Sequence, residues 1–164
     1  MHLARAENTA LDLETLNLPD LVLEAADDLW PQAKAKGVTV SAEPSEDEVL
    51  VMADRSLMGR ALINLVGNAV KYTDAGGRVD CRVWREGEEA VCTVSDTGRG
   101  MAPEQLARLF ERFHRGAAAK SSDGVGLGLA FVQTVVQRHG ATLDCRSVEG
   151  EGTTFTLRMR VARD

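Results

Sequence analysis

The chain has 164 residues, 44% of them hydrophobic and 27% charged, with a formal net charge of −6 and a pI near 5.1. This length accommodates one globular domain with a full core, and the acidic balance argues against a surface built to grip bare nucleic acid or an anionic membrane. No apolar run reaches the length of a bilayer-spanning helix, and Met1 leads into a mixed, charged segment unlike a signal peptide. Cys81, Cys92 and Cys145 are odd in number, lack CxxC spacing and sit in strand-like alternations. Small buried hydrophobes in a reducing cytoplasm are therefore expected, not disulfides or metal ligands. His2, His114 and His139 are scattered and form no ligand cluster.

In chain order, residues 1–15 read as the end of a polar helix or a linker, since Leu3, Leu11, Leu13 and Leu16 make no long amphipathic face. Asn17 is a candidate helix cap with Pro19 in the first turn, where a missing N–H costs nothing. Leu21, Val22, Ala25, Ala26, Leu29 and Ala33 recur at helical spacing, and Pro31 is expected to end or kink this helix before Gly37. Val38–Val40 is a short strand candidate, while Val49–Met52 reads as a strand or as the lead into the next helix. Asp54 is a plausible N-cap for the strongest helix, whose face is lined by Leu57, Met58, Ala61, Leu62, Leu65, Val66, Ala69 and Val70. Val79, Cys81 and Val83 alternate with polar residues, and Ala90–Ser95 returns as an antiparallel partner. Pro103 opens a short helix through Leu109, followed by the aromatic run Phe110–Arg115. Residues 116–124 are small and polar, as in a mobile lid. A helix runs from the glycines to near Gly140, and 141–148 and 153–161 read as two final strands joined by Gly150-Glu151-Gly152. The pattern predicts an α+β, two-layer sandwich: a mixed, mostly antiparallel sheet of about five strands covered on one face by three helices.

Three stretches carry chemistry. In Asp123–Ala130, glycines at every second position enter a helix, whose first turn offers unpaired N–H groups and a positive dipole end to a phosphate. An ordinary loop has the same look. Asn64 and Asn68 lie four apart near the end of a helix although asparagine is a poor helix former. Either one alone would pass for a solvated side chain. Asp96-Thr97-Gly98-Arg99-Gly100 puts a carboxylate at a strand end over an exposed loop, which fits a fixed hydrogen-bond acceptor or a plain turn.

Taken in order, these segments resemble the catalytic ATP-binding domain of sensor histidine kinases, within the gyrase, chaperone, histidine-kinase and mismatch-repair ATPase superfamily. Asn64-Leu-Val-Gly-Asn68-Ala-Val-Lys71-Tyr72-Thr73 is similar to the family's N box, and Asp96–Gly100 to its first glycine box. Phe110–Arg115 is similar to its F box, Gly124–Leu129 to its second glycine box, and Gly150–Phe155 to its closing glycine segment. The resemblance covers residues 16–164, with 1–15 similar to the last turns of the dimerisation helices that precede this domain in the family. No strand of a βαβ unit leads into the glycines and no Gly-Lys-Ser/Thr follows them, so neither a Rossmann nor a Walker site is expected.

The resemblance implies the Bergerat ATP-binding fold and binding of ATP with Mg²⁺. It implies that Asp96 accepts a hydrogen bond from the adenine amino group, that Gly98 and Gly100 pass close to the ring, and that Tyr72 packs against base or ribose. Asn68 is the implied Mg²⁺ ligand, an amide oxygen suited to a hard ion, with Asn64 supporting the same cluster and Lys71 supplying positive charge. Gly124, Gly126, Leu127, Gly128 and Leu129 are the implied phosphate cradle, with Thr154 in the closing segment. Arg115 and Lys120, on or beside the lid, are implied phosphate contacts. Asn64 stands where hydrolytic relatives carry a glutamate and cannot act as a general base, so slow hydrolysis is expected. The γ-phosphate would pass to a histidine of the dimerisation region, outside this sequence, and a response regulator would follow. The resemblance further implies a full-length homodimer, a monomeric fragment, a cytoplasmic location even where the parent is membrane-anchored, and no nucleic-acid partner. A serine kinase of the anti-sigma-factor type and a non-catalytic nucleotide-binding module are alternatives on the same fold. The Phe110–Arg115 segment favours the histidine kinase, and the intact Asn68, Asp96 and glycines count against the module.

Overall fold

The computed structural model describes residues 10–43, 46–115 and 125–163, with 110–115 and 125–127 described by their helical backbone alone. Strand β1 (Leu13–Asn17) leads into helix α1 (Leu18–Lys36), followed by β2 (Thr39–Ala42), β3 (Leu50–Asp54), α2 (Arg55–Lys71), β4 (Arg78–Glu86) and β5 (Glu89–Asp96). Helices α3 (Pro103–Arg115) and α4 (Val125–Arg138) come next, then β6 (Thr142–Val148) and β7 (Gly152–Arg160). The main sheet has the order β2-β4-β5-β7-β6, with β2 parallel to β4 and every other neighbour antiparallel. A second sheet pairs β1 with β3.

Apart from Val91, which is buried on the opposite parity, burial in the main sheet follows the two-residue period of a sheet with one face packed. Val79 and Cys81, Ala90, Cys92 and Val94, Cys145, and Phe155, Leu157 and Met159 join one core with the helices. The three thiols are free and buried as expected, and burial pushes those of Cys81 and Cys145 up to about 12, which makes them poor nucleophiles.

Four differences from the sequence reading have physical causes. Residues 13–15, expected in a helix end or linker, belong to β1, where Leu13, Glu14 and Thr15 stand opposite Asp54, Ala53 and Met52. Helix α1 continues through Pro31, which sits on its exposed face while Leu29 and Ala33 remain in the core on either side. Packing thus outweighs one lost helical bond at the solvent side, and the helix ends at Gly37, whose φ of 82° provides the left-handed cap. Asn17 stands at the cap position, but its side chain accepts from the Val49 amide at 2.8 Å and makes no cap bond. Finally, the described residues form four helices where three were expected, because the Pro103 element runs 13 residues to Arg115 and takes in the aromatic segment.

Asp54 caps α2 as expected, its Oδ1 accepting from the Leu57 amide at 3.1 Å. The apolar stripe of α2 is the centre of the core, with Leu62 1% exposed. Leu62→Ala is expected to cost about 3 kcal/mol of stability, read as a lower denaturant midpoint with an unchanged slope.

Candidate nucleotide-binding site

The site lies where the C-terminal end of β5 meets the C-terminal half of α2. Alternation along β5 turns Asp96 to the helix-covered face, the same side as Ala90, Cys92 and Val94. The chain then bends back so that the Gly98 amide donates to Asp96 Oδ1 at 2.9 Å, while the Thr153 amide of β7 donates to the same oxygen at 3.2 Å. A Cβ at Gly98 would run into the Tyr72 carbonyl, and Gly100, at φ 67°, lies against the Val148 carbonyl. Only glycine allows the loop to lie this close to its neighbours. Burial raises the Asp96 carboxyl above its ordinary value, and the Gly98 and Thr153 amides partly offset that rise.

On the opposite wall, Asn64 and Asn68 project one turn apart from α2, both half-buried. Asn68 faces a cavity of about 460 Å³, and its Nδ2 is buried with no hydrogen-bond partner among the described residues. A buried, unpartnered amide is costly unless a ligand completes it. Asn64 turns toward α4, its Nδ2 approaching the Gly128 carbonyl to 3.5 Å.

Of the residues expected at the site, Asn68, Tyr72, Asp96, Gly100 and Leu129 line the cavity together. Gly98 and Gly128 lie beside it through their bonds to Asp96 and Asn64. A Cβ at Gly128 would meet none of the described residues within 4 Å, so their packing does not require glycine there. Lys71 is exposed, with its ammonium 5.4 Å from the Tyr72 ring centre. Thr154 is not brought to the cavity. It faces the other side of the sheet, where its Oγ1 lies 2.8 Å from Ser95 Oγ, and its neighbour Thr153 lines the cavity instead. The two-residue period of β7 decides this: Thr153 shares the inward side with Phe155 and Leu157. Arg115, Gly126 and Leu127 are described by backbone only. Lys120, Gly124 and the expected lid, 116–124, lie outside the described residues.

The sequence reading missed the wall formed by α3 and the loop before it, where Met101, Gln105, Arg108 and Leu109 line the cavity together with Arg99. Pro103 announced a short helix through Leu109 but not which cleft it would border. Arg99, inside the motif already singled out, stacks 6.0 Å from the Tyr72 ring centre and pairs with Asp74 at 4.0 Å.

This combination of sandwich and cleft is that of the ATP-binding catalytic domains of histidine kinases, the Bergerat fold, and comparison with known proteins points to the same class. The chain belongs to the histidine kinase-, DNA gyrase B-, and HSP90-like ATPase family, whose signature matches residues 53–163. It is 37% identical over 157 residues to the sensor histidine kinase RppB of Synechocystis sp., covering 94% of this chain and 35% of that protein. It is 36% identical to the sensor protein kinase PmrB of Pseudomonas aeruginosa, covering 92% of this chain and 32% of that protein. Among solved structures, full-length ShkA in complex with AMPPNP superposes with a TM-score of 0.80 at 30% identity, covering 99% of this chain and 35% of ShkA. The catalytic domain of histidine kinase ThkA superposes with a TM-score of 0.75 at 21% identity, covering 92% and 97% respectively, and shares the fold. The chain thus spans about a third of the length of these curated relatives. Among the described residues, no helix is long and apolar enough to cross a membrane.

The raised Asp96 pKa has a consequence for stability. The folded state holds this proton more tightly than the unfolded chain, so Asp96 penalises folding increasingly as pH rises from the ordinary aspartate range through the folded value. Asp96→Asn keeps an acceptor for the Gly98 and Thr153 amides without the charge. Thermal melts of the nucleotide-free variant should therefore match or exceed the wild type at pH 7, and the difference should shrink on acidification.

Proposed function

We propose that this chain binds ATP with magnesium in the cavity between β5, α2 and α3, and presents the γ-phosphate for transfer to a histidine on a separate dimerisation segment of a two-component sensor kinase, with a response regulator downstream. The observation that carries this reading is the pairing of a fixed carboxylate with an uncompleted amide across one cavity: Asp96, anchored by two backbone amides, and Asn68, whose buried Nδ2 has no partner among the described residues. Both backbone amides use Oδ1, which leaves Oδ2 as acceptor for the exocyclic amino group of adenine. Guanine offers a carbonyl at that place and would meet two acceptors face to face.

The Asn68 amide fits either role the polyphosphate end requires. With Nδ2 inward it donates to a phosphate oxygen, and a half-turn of the amide brings Oδ1 to the same place as a neutral oxygen ligand for magnesium. Magnesium, when bound, neutralises charge on the phosphate oxygens. Gly128, with none of the described residues within 4 Å of a Cβ there, leaves room for a phosphate beside the first turn of α4. Asn64 approaches the Gly128 carbonyl and offers no basic atom, so this position does not activate water against the γ-phosphate. Arg108, exposed at the cavity wall, adds a cation to those expected from the sequence.

Asp96→Ala should weaken ATP binding at least tenfold and reduce the preference for ATP over GTP, measured by calorimetry. Unchanged affinity with a folded protein would remove Asp96 as the base-selecting group. Asn68→Ala should bind ATP equally with and without magnesium, whereas the wild type binds more tightly with it. In a longer protein that includes the acceptor histidine, Asn68→Ala should lose phosphotransfer from γ-labelled ATP.

A further inference from the structure

Helices α2 and α4 pack side by side, and three contacts fix their register. The Asp54 amide, at the N-cap of α2, donates to His139 Nε2 just past the end of α4 at 3.0 Å. The Arg60 guanidinium lies 5.4 Å from the Phe131 ring centre. Asn64 Nδ2 approaches the Gly128 carbonyl. Contacts move down α4 as they move up α2, so the two helices run antiparallel and the seam ends at the cavity.

His139 is the anchor at the far end. A backbone N–H can only donate, so Nε2 accepts and carries no proton. The neutral ring then holds its proton on Nδ1, which donates to the Val135 carbonyl at 2.7 Å. The backbone donor at Asp54 selects this tautomer for the ring orientation in the structure. Asp54 is itself held from two directions, Oδ1 accepting from the Leu57 amide and Oδ2 from the Asp12 amide, each at 3.1 Å. The imidazole therefore locks the end of α4 to a rigid point rather than to a mobile side chain.

We propose that His139 is a positioning residue for the nucleotide: as a neutral Nδ1–H imidazole it clamps the C-terminal end of α4 to the N-cap of α2, and so sets where Gly128 and Leu129 stand against Asn64 and Asn68. The clamp lies eleven residues from Gly128, about 16 Å along a helix, so it touches no ligand and acts through helix register. The proposal rests on the reading of the cavity as an ATP site.

Three variants of the full chain test it. Leucine at 139 fills similar space but offers no acceptor, so ATP should bind roughly tenfold more weakly to His139→Leu, the worth of about one hydrogen bond. His139→Gln places an amide oxygen near the position of Nε2 and should bind within about threefold of the wild type. Met159→Ala opens a core cavity at the other end of β7 and should lower the melting temperature without weakening ATP binding. Imidazole ¹⁵N shifts should show the Nδ1–H tautomer at neutral pH with or without ATP. Wild-type affinity in His139→Leu, equal weakness in His139→Gln, equal weakening by Met159→Ala, or an Nε2–H tautomer would each overturn the clamp. Should His139→Leu fail to fold, His139→Asn takes its place: its shorter amide does not reach the Asp54 amide, so it should bind ATP about tenfold more weakly than His139→Gln, and equal affinity of the two would overturn the clamp. A wild-type chain that does not bind ATP overturns the reading of the site and this proposal with it, whereas equal binding by wild type and His139→Leu overturns this proposal alone.

Discussion

The structure turns on one carboxylate held out of bulk water at the end of a strand. Asp96 is partly buried, its charge is disfavoured there, and two backbone amides from different segments converge on a single oxygen. Both require close backbone approaches. The Gly98 amide reaches back only because no side chain separates it from the Tyr72 carbonyl. The Thr153 amide reaches across because Asp96 and Thr153 stand opposite each other in the β5–β7 ladder. Sheet register, loop conformation and the end of α2 therefore meet at this residue, and a change in any of them moves the acceptor.

The helices answer the same constraint from the other wall. An asparagine at position 68 is poor helix material and leaves a buried amide incomplete. The apolar stripe from Met58 to Val70 more than compensates by burying the opposite face. Gln133 Oε1 is the other buried side-chain atom without a partner among the described residues, but it does not line the cavity. An unfilled polar group is therefore informative here because of its location: Asn68 faces open volume across from a fixed acceptor.

Elements whose signal is local are legible in the sequence. Asp54 as a cap, Gly37 as a stop, the α2 stripe and the β4–β5 hairpin each depend on residues within a turn or a strand of one another, and all appear as expected. The misjudged elements depend on distant partners. Strand β1 exists because β3 lies beside it, and the partners in this ladder, such as Leu13 with Asp54 and Asn17 with Leu50, are far apart in the chain. Pro31 is tolerated because the surrounding helix is pinned by the core. The α3 wall of the site was illegible for a similar reason, since an amphipathic period says that a helix will bury one face but not what its rim will border.

The Thr153–Thr154 pair makes the limit concrete. Two identical residues stand side by side, and composition, propensity and motif matching treat them alike. The sheet separates them completely: one faces the cavity beside Asp96, and the other pairs with Ser95 on the opposite face. Phe155 and Leu157, both core residues, show which parity points inward, so the period of β7 already contained the answer. A motif names a neighbourhood, and strand alternation then decides which of its side chains can reach a ligand. The same logic applies to α2, where four-residue spacing places Asn64 and Asn68 on one side, yet the helix sends Asn64 toward α4 and leaves Asn68 facing the cavity. Equal residue types at neighbouring motif positions thus have different surroundings, one turned to the adjoining helix and the other to open volume.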